Sequence, residues 1–133
     1  MVEIRVHTAK MPPPKPISPA PVKNNSGACI GAEKITALNA AIDQAESMGG
    51  LEVLVNNAGN DQRMAVGDVT AEDWTRLVDV NLRHQFFASQ RACKHMMTRG
   101  RGSIINFGSV APELPVRHLA VYNACRSGVR GLT

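Results

Sequence analysis

The stretch Leu51-Glu52-Val53-Leu54-Val55-Asn56-Asn57-Ala58-Gly59 decides the fold. Val53, Leu54 and Val55 are consecutive, so an extended backbone would send apolar side chains to both of its faces. That pattern suits a strand buried on both faces, as in a parallel sheet, and not the one-sided alternation of a half-solvated strand. The pattern predicts a strand over 51–56. Asn57, Ala58 and Gly59 then interrupt it with small and turn-forming residues, which let another group approach the backbone closely.

On the N-terminal side, Ile35, Leu38, Ile42 and Ala45 recur at helical spacing, and Gly49-Gly50 stops the run. On the C-terminal side, 57–69 is loop. Thr70 then has the character of an N-cap, with Asp73 placed to reach back in a capping box. Trp74, Leu77, Val78, Leu82, Phe86 and Phe87 give the following helix a wide apolar face. It is expected to run to about Thr98, with Gly100 and Gly102 ending it. SIINF (103–107) is a second buried-strand pattern, and a loop with Pro112 and Pro115 follows. The last segment, AVYNACRSGVRGLT (120–133), opens as a helix. The order helix, strand, helix, strand, helix requires right-handed crossovers on a parallel sheet, which is an α/β fold.

Residues 1–31 have a different character. Six of the eight prolines lie between Pro12 and Pro21, which excludes helix and central strand there. The expected boundary separates a Pro-rich, disordered segment over 1–31 from a folded domain over 32–133. Val2, Ile4 and Val6 alternate with polar residues, a pattern compatible with a short edge strand. The net charge of +4 is scattered, densest at Lys94, Arg99 and Arg101, and gives no basic stripe of the kind nucleic acid requires. Cys29, Cys93 and Cys125 lack metal-ligand spacing and suit reduced thiols of the cytoplasm. No apolar stretch approaches the ~18 residues of a membrane span, and MVEIRVHTAK (1–10) has no apolar signal core. The expectation is a cytoplasmic protein with no metal, no membrane and no nucleic-acid partner.

Ligands of open α/β sheets bind beyond the carboxyl ends of the strands. Here those positions hold Asn57, Ala58 and Gly59 after one strand and Gly108 and Ser109 after the other. Tyr122, the one tyrosine of the chain, follows thirteen residues after Ser109. Arg126 lies four residues further, on the same helical face, so a phenol and a permanent cation would stand side by side. A cation close to a phenol favours the phenolate, and a tyrosine so placed can exchange a proton with a carbonyl or alcohol.

The series LVNNAG, then DVNL on a helix, then GSIINFGSV, then Tyr-x-x-x-basic resembles the short-chain dehydrogenase/reductase family. The resemblance runs from about Ile35 to Thr133 and is dense from Gly49 onward. It implies a partial Rossmann-like, doubly wound parallel sheet comprising the central and catalytic portion of the family's fold. It also implies NAD or NADP as cofactor and a small-molecule carbonyl or alcohol as substrate. Tyr122 matches the family's catalytic acid/base, Ser109 the hydrogen-bonding partner of the substrate oxygen, and Asn81 the helix asparagine that holds a relay water. Asn57, Ala58 and Gly59 match the loop beside the cofactor. Arg126 stands where the family has a lysine that supports the tyrosine and holds the ribose. The family's pairing of subunits through long helices makes a homo-oligomer an expectation as well.

Three departures accompany the resemblance. Arginine keeps the charge at 126 but is larger, planar and unable to release its proton. No glycine-rich phosphate turn precedes LVNNAG, since Gly27-Ala28-Cys29-Ile30-Gly31 stands too close to it for a full βαβ unit. The sequence stops at Thr133, before the family's last strands. The expectation is therefore an impaired or inactive short-chain oxidoreductase. The alternative is a non-catalytic remnant acting as an interaction or dimerisation module.

Overall fold

The computed structural model describes residues 2–6 and 32–132. The expected disorder of the Pro-rich segment and the placement of Gly27–Gly31 and Cys29 fall outside them. Strand β1 spans Val2–Val6, helix α1 Ala32–Ser47, strand β2 Val53–Asn56 and helix α2 Ala71–Val78. A π-helical turn, Asp79–Arg83, carries α2 directly into α3, His84–Arg99. Strand β3, Gly102–Asn106, and helix α4, Ala120–Arg130, complete the described elements. The order helix, strand, helix, strand, helix stands as expected, in a partial Rossmann-like α/β arrangement.

Local chemistry sets the ends of the long helical stretch. Thr70 Oγ1 accepts from the Asp73 N–H at 3.1 Å while the Asp73 carboxylate accepts from the Thr70 N–H, the reciprocal cap expected of this sequence. Arg76 adds a 2.6 Å ion pair to the same carboxylate. Its hydrogen bond, then that of Thr70, holds the Asp73 carboxyl below the usual carboxylate range. At the far end Gly100 takes a left-handed conformation, φ 70°, and its N–H returns to the carbonyls of Met96 and Met97.

The sheet order is β1-β3-β2. β2 and β3 are parallel, with Leu54 opposite Ile104 and Asn56 opposite Asn106. β1 joins the other edge of β3 antiparallel, Val2 opposite Asn106 and Val6 opposite Gly102. The alternation at Val2–Val6 thus forms an edge strand, and the described sheet is mixed rather than wholly parallel.

One face of the sheet packs on α1 and α3. Ile42, Ala88, Ala92, Met96 and Ile104 form its buried core, with Leu38, Leu51 and Leu54 around them. Ala88 and Ala92 are small, which lets α3 lie close to its neighbours. A second cluster, Leu77, Val121 and Cys125, joins α2 to α4. The consecutive apolar run in β2 led to the expectation of burial on both faces, and this is corrected by the structure. Val53 and Val55 are 50% and 51% exposed. The helices that pack on the sheet, α1 and α3, meet the face of Leu54 and Ile104, and no described helix covers the other.

Ion pairs fasten α1 to α3. Asp43 receives two 2.6 Å bonds from Arg91 and lies 2.7 Å from His95 Nε2. The Arg91 and His95 bonds lower the Asp43 pKa from 3.8 to about 2. Further along, Arg99 bonds both Glu46 and the Leu51 carbonyl, so the turn into β2 is held by the end of α3.

Candidate active site

Because β2 and β3 are parallel, the segments leaving both strands emerge at the same sheet edge. A polar cleft of about 230 Å³ opens there, lined by Asn57, Gly59 and Asp61 after β2, Phe107 and Gly108 after β3, and Tyr122 and Arg126 on α4. Five of the residues singled out from the sequence, Asn57, Gly59, Gly108, Tyr122 and Arg126, are therefore brought together.

Arg126 is the mechanical centre of the cleft. It is 4% exposed. Its Nη1 donates to the Phe107 carbonyl at 2.8 Å and its Nη2 to the Ala58 carbonyl at 3.3 Å. One guanidinium thus bridges the segments that leave β2 and β3, a task suited to its planar fork. Its carbon centre lies over the Tyr122 ring, 5.1 Å from the centroid, a cation–π distance. Gly59 is the residue that admits it: a Cβ there would fall 1.8 Å from Nη2 and 3.3 Å from Asn81 Oδ1. Ala58 contributes its backbone carbonyl, and its side chain does not line the cleft.

Asn81 sits fully buried in the π-turn. Its amide is completely engaged. Oδ1 accepts from the Asn60 N–H at 2.9 Å, and Nδ2 donates to the carbonyls of Asn60 and Leu77, each at 2.9 Å. Its side chain thereby fixes the loop that continues from Gly59, and it does not line the cleft. The widened turn contains Asn81 itself, and π-turns of this kind recur at functional sites.

Ser109 is half-buried and also stands outside the cleft lining. Its Oγ accepts from the Ala111 N–H at 3.0 Å, closing the short 3-10 turn Ala111–Glu113. That contact uses a lone pair and leaves its O–H proton to be donated. His118 is exposed and holds a left-handed φ of 63°. Its carbonyl accepts from the Met64 N–H, tying the loop after β3 to the loop after β2.

Sequence reasoning missed Asp61 and His84. Asp61 is one acid among the polar residues of a loop, with no spacing that marks it. His84 follows the π-turn. Burial pushes its imidazole below the ordinary pKa; the Asp79 backbone opposes that shift and the charge of Arg126 adds to it. The contact between loop and helix that brings this charge near has no local sequence signature. The same charge opposes the upward push of burial on the Cys125 thiol. Among the described residues no group of three or more His, Cys, Asp or Glu could hold a metal ion, and no helix is long and apolar enough to cross a membrane.

Comparison with known proteins agrees with this arrangement of strand ends and helix. The short chain dehydrogenase family matches residues 26–133. A probable galactose dehydrogenase of Rhizobium meliloti is 43% identical over 100 residues, which are 74% of this chain and 39% of that protein. D-xylose 1-dehydrogenase of Caulobacter vibrioides is 43% identical over 86 residues, 65% of this chain and 35% of the relative. The solved structure of a gluconate 5-dehydrogenase from Burkholderia cenocepacia, in complex with NADP and tartrate, superposes with a TM-score of 0.68 at 40% identity. That match covers 74% of this chain and 39% of the solved one. The chain belongs to the short-chain dehydrogenase family, and it spans about two fifths of the length of these relatives.

Proposed function

We propose that this chain carries the reacting half of an NAD(P)-dependent oxidoreductase site acting on a carbonyl/alcohol pair of a small, soluble substrate. The observation that supports it most is the convergence of Tyr122, Asn57, Gly59 and Gly108 on one cleft, with the buried Arg126 cation over the Tyr122 ring. A phenol, a primary amide and approachable glycine backbone suit the sugar and base of a nucleoside. The NADP of the gluconate 5-dehydrogenase structure and the sugar-oxidising relatives favour the same class of reaction.

Bound there, the nicotinamide supplies or accepts the hydride. The residues of this chain do the rest. Tyr122 gives a proton to the substrate oxygen on reduction and takes one on oxidation. Ser109, beside the cleft and not in its lining, has its O–H free to donate to that oxygen. Arg126 lies over the Tyr122 ring and holds the Ala58 and Phe107 carbonyls, so that the phenol and the cleft walls keep their places. Asn81 keeps the Gly59–Asn60 turn in place. Asn57, Ala58 and Gly59, with Tyr122 and Arg126, form the cofactor-facing wall.

The affinity of the 133-residue chain for the dinucleotide is proposed to be low. Residues 1–31 contain no glycine-rich phosphate turn, and each charge-assisted bond to an anion contributes roughly 1.5–3 kcal/mol. The Arg126 guanidinium is also already spent on two carbonyls. This second observation supports the alternative of a non-catalytic module. Titration with NADH and NADPH, followed by reduced-cofactor absorbance with sugars, ketones and aldehydes, tests both. Turnover that disappears in Tyr122→Phe establishes the enzymatic reading. Absence of binding and turnover at millimolar cofactor favours the module.

A further inference from the structure

Gln85 is 0% exposed on α3, and neither its Oε1 nor its Nε2 has a hydrogen-bond partner. Buried amides without partners are costly and rare, so an isolated, fully buried glutamine calls for an explanation. Its surroundings are polar. One turn earlier, Asn81 is bonded to Asn60 after β2. One turn later, the Ser89 hydroxyl accepts from Asn56 Nδ2 at 3.1 Å. Gln85 therefore faces the ends of the strands between two anchored neighbours. Asn56 Nδ2 also donates to Asn106 Oδ1 at 2.7 Å, yet the Nδ2 of Asn106, itself 0% exposed, is buried and unpaired. On α1, Asn39 lies one turn before Asp43, whose bonds to Arg91 and His95 place it near the level of Ser89. The buried Oδ1 of Asn39 is unpaired as well.

These side chains leave two donors, Gln85 Nε2 and Asn106 Nδ2, and two acceptors, Gln85 Oε1 and Asn39 Oδ1. A water molecule offers the complement, two lone pairs and two protons, and internal waters characteristically make two to four such bonds. We propose that the junction of α1, α3 and the ends of β2 and β3 is an internal water-binding site held by Gln85 and Asn106, with Asn39 completing it. It lies immediately behind the cleft, because Asn56 and Asn106 directly precede the cleft residues Asn57 and Phe107. Its ligand is water, not substrate or cofactor, so it is independent of the oxidoreductase reading.

Water-selective rotating-frame NOE spectra of the isotope-labelled chain test the site. The side-chain NH₂ groups of both Gln85 and Asn106 are expected to show direct cross-peaks to water, opposite in sign to the diagonal in these spectra and of the diagonal's sign in the companion laboratory-frame spectra, the mark of a long-lived contact. Gln85→Met, similar in volume but apolar, is expected to erase the Asn106 cross-peak. Wild-type spectra in which either NH₂ lacks the water contact overturn the proposal, whether or not the variant folds. An Asn106 cross-peak that persists in folded Gln85→Met also overturns it, since Gln85 would then not hold the water.

Discussion

The Arg126 guanidinium is anchored at both ends of a short bridge, 2.8 Å from the Phe107 carbonyl and 3.3 Å from the Ala58 carbonyl, while covering the Tyr122 ring. A family lysine at this place would offer one ammonium on a flexible stem. Arginine here is a cross-link between two strand ends as well as a charge beside a phenol. Arg126→Lys is expected to lower folding stability by about 1–3 kcal/mol, the scale for losing a charge-assisted bond to a buried carbonyl. Denaturant unfolding of both proteins measures it. An unchanged midpoint would show that the two carbonyl contacts contribute nothing net.

Gly59 and Arg126 form a size-matched pair. A Cβ at 59 would overlap Nη2, and the guanidinium cannot swing aside without giving up the Ala58 carbonyl. Gly59→Ala is expected to destabilise by about 1–3 kcal/mol, as overpacking commonly does. In an Arg126→Met background the same substitution should cost much less. A double-mutant cycle on unfolding free energies should give a coupling of about 0.5–3 kcal/mol. Simple additivity would mean that the clash relaxes elsewhere.

The parts of this architecture written in short sequence windows were legible in advance. The Thr70–Asp73 cap, the helical spacing before Gly49 and the small residues after each strand all act over a few residues, and the structure contains each of them. The exposure of Val53 and Val55 was not legible, because burial of the second face depends on which elements lie across it. The bridge from Arg126 to Ala58 spans 68 positions in the chain, and nothing local encodes it. Tyr122 and Arg126 could be paired from helix geometry alone. The sequence did not reveal that Ser109 and Asn81 spend side-chain hydrogen bonds on shaping their own loops.

Acid should loosen the α1–α3 contact through Asp43. Its folded pKa of about 2 lies below the ordinary 3.8, so between these values the unfolded chain binds more protons than the folded one. The stabilisation is complete above about pH 4 and is lost as pH falls through about 2. Asp43→Asn should flatten the pH dependence of stability in that window. The pair is partly solvated, so 0.5 M salt should weaken the effect. A variant retaining the wild-type acid slope would contradict this account.

His84 should produce a separate step at milder pH. Burial holds its folded pKa below 6.5, so protonation favours the unfolded chain. Stability is expected to be constant with respect to this group above about pH 6.5 and to decline as pH falls below it. His84→Gln should remove that decline while leaving the Asp43 step in place. Proton-resolved titration of the His84 ring would decide the matter independently; a folded pKa of 6.5 would abolish the step and a higher one would reverse its sign.

The uncovered sheet face sets the last expectation. Val53 and Val55 stand half-exposed on one side of β2, and β2 is an edge of the described sheet, with β3 on its other flank. An apolar, β-branched edge strand is a template for pairing with another strand, and burying it removes apolar surface at about 25 cal/mol per Å². The chain is therefore expected to self-associate with rising concentration. Val53→Thr with Val55→Lys keeps strand-compatible backbone at 53 and places a charge on the exposed face at 55, a common protection of natural edges. Because neither side chain belongs to the buried core cluster, the double variant should keep its unfolding midpoint within about 1 kcal/mol of the parent. Sedimentation velocity over a hundredfold concentration range should show association in the parent and a single slow species in the variant. A parent that remains monomeric throughout would mean that this face is covered by some other part of the protein.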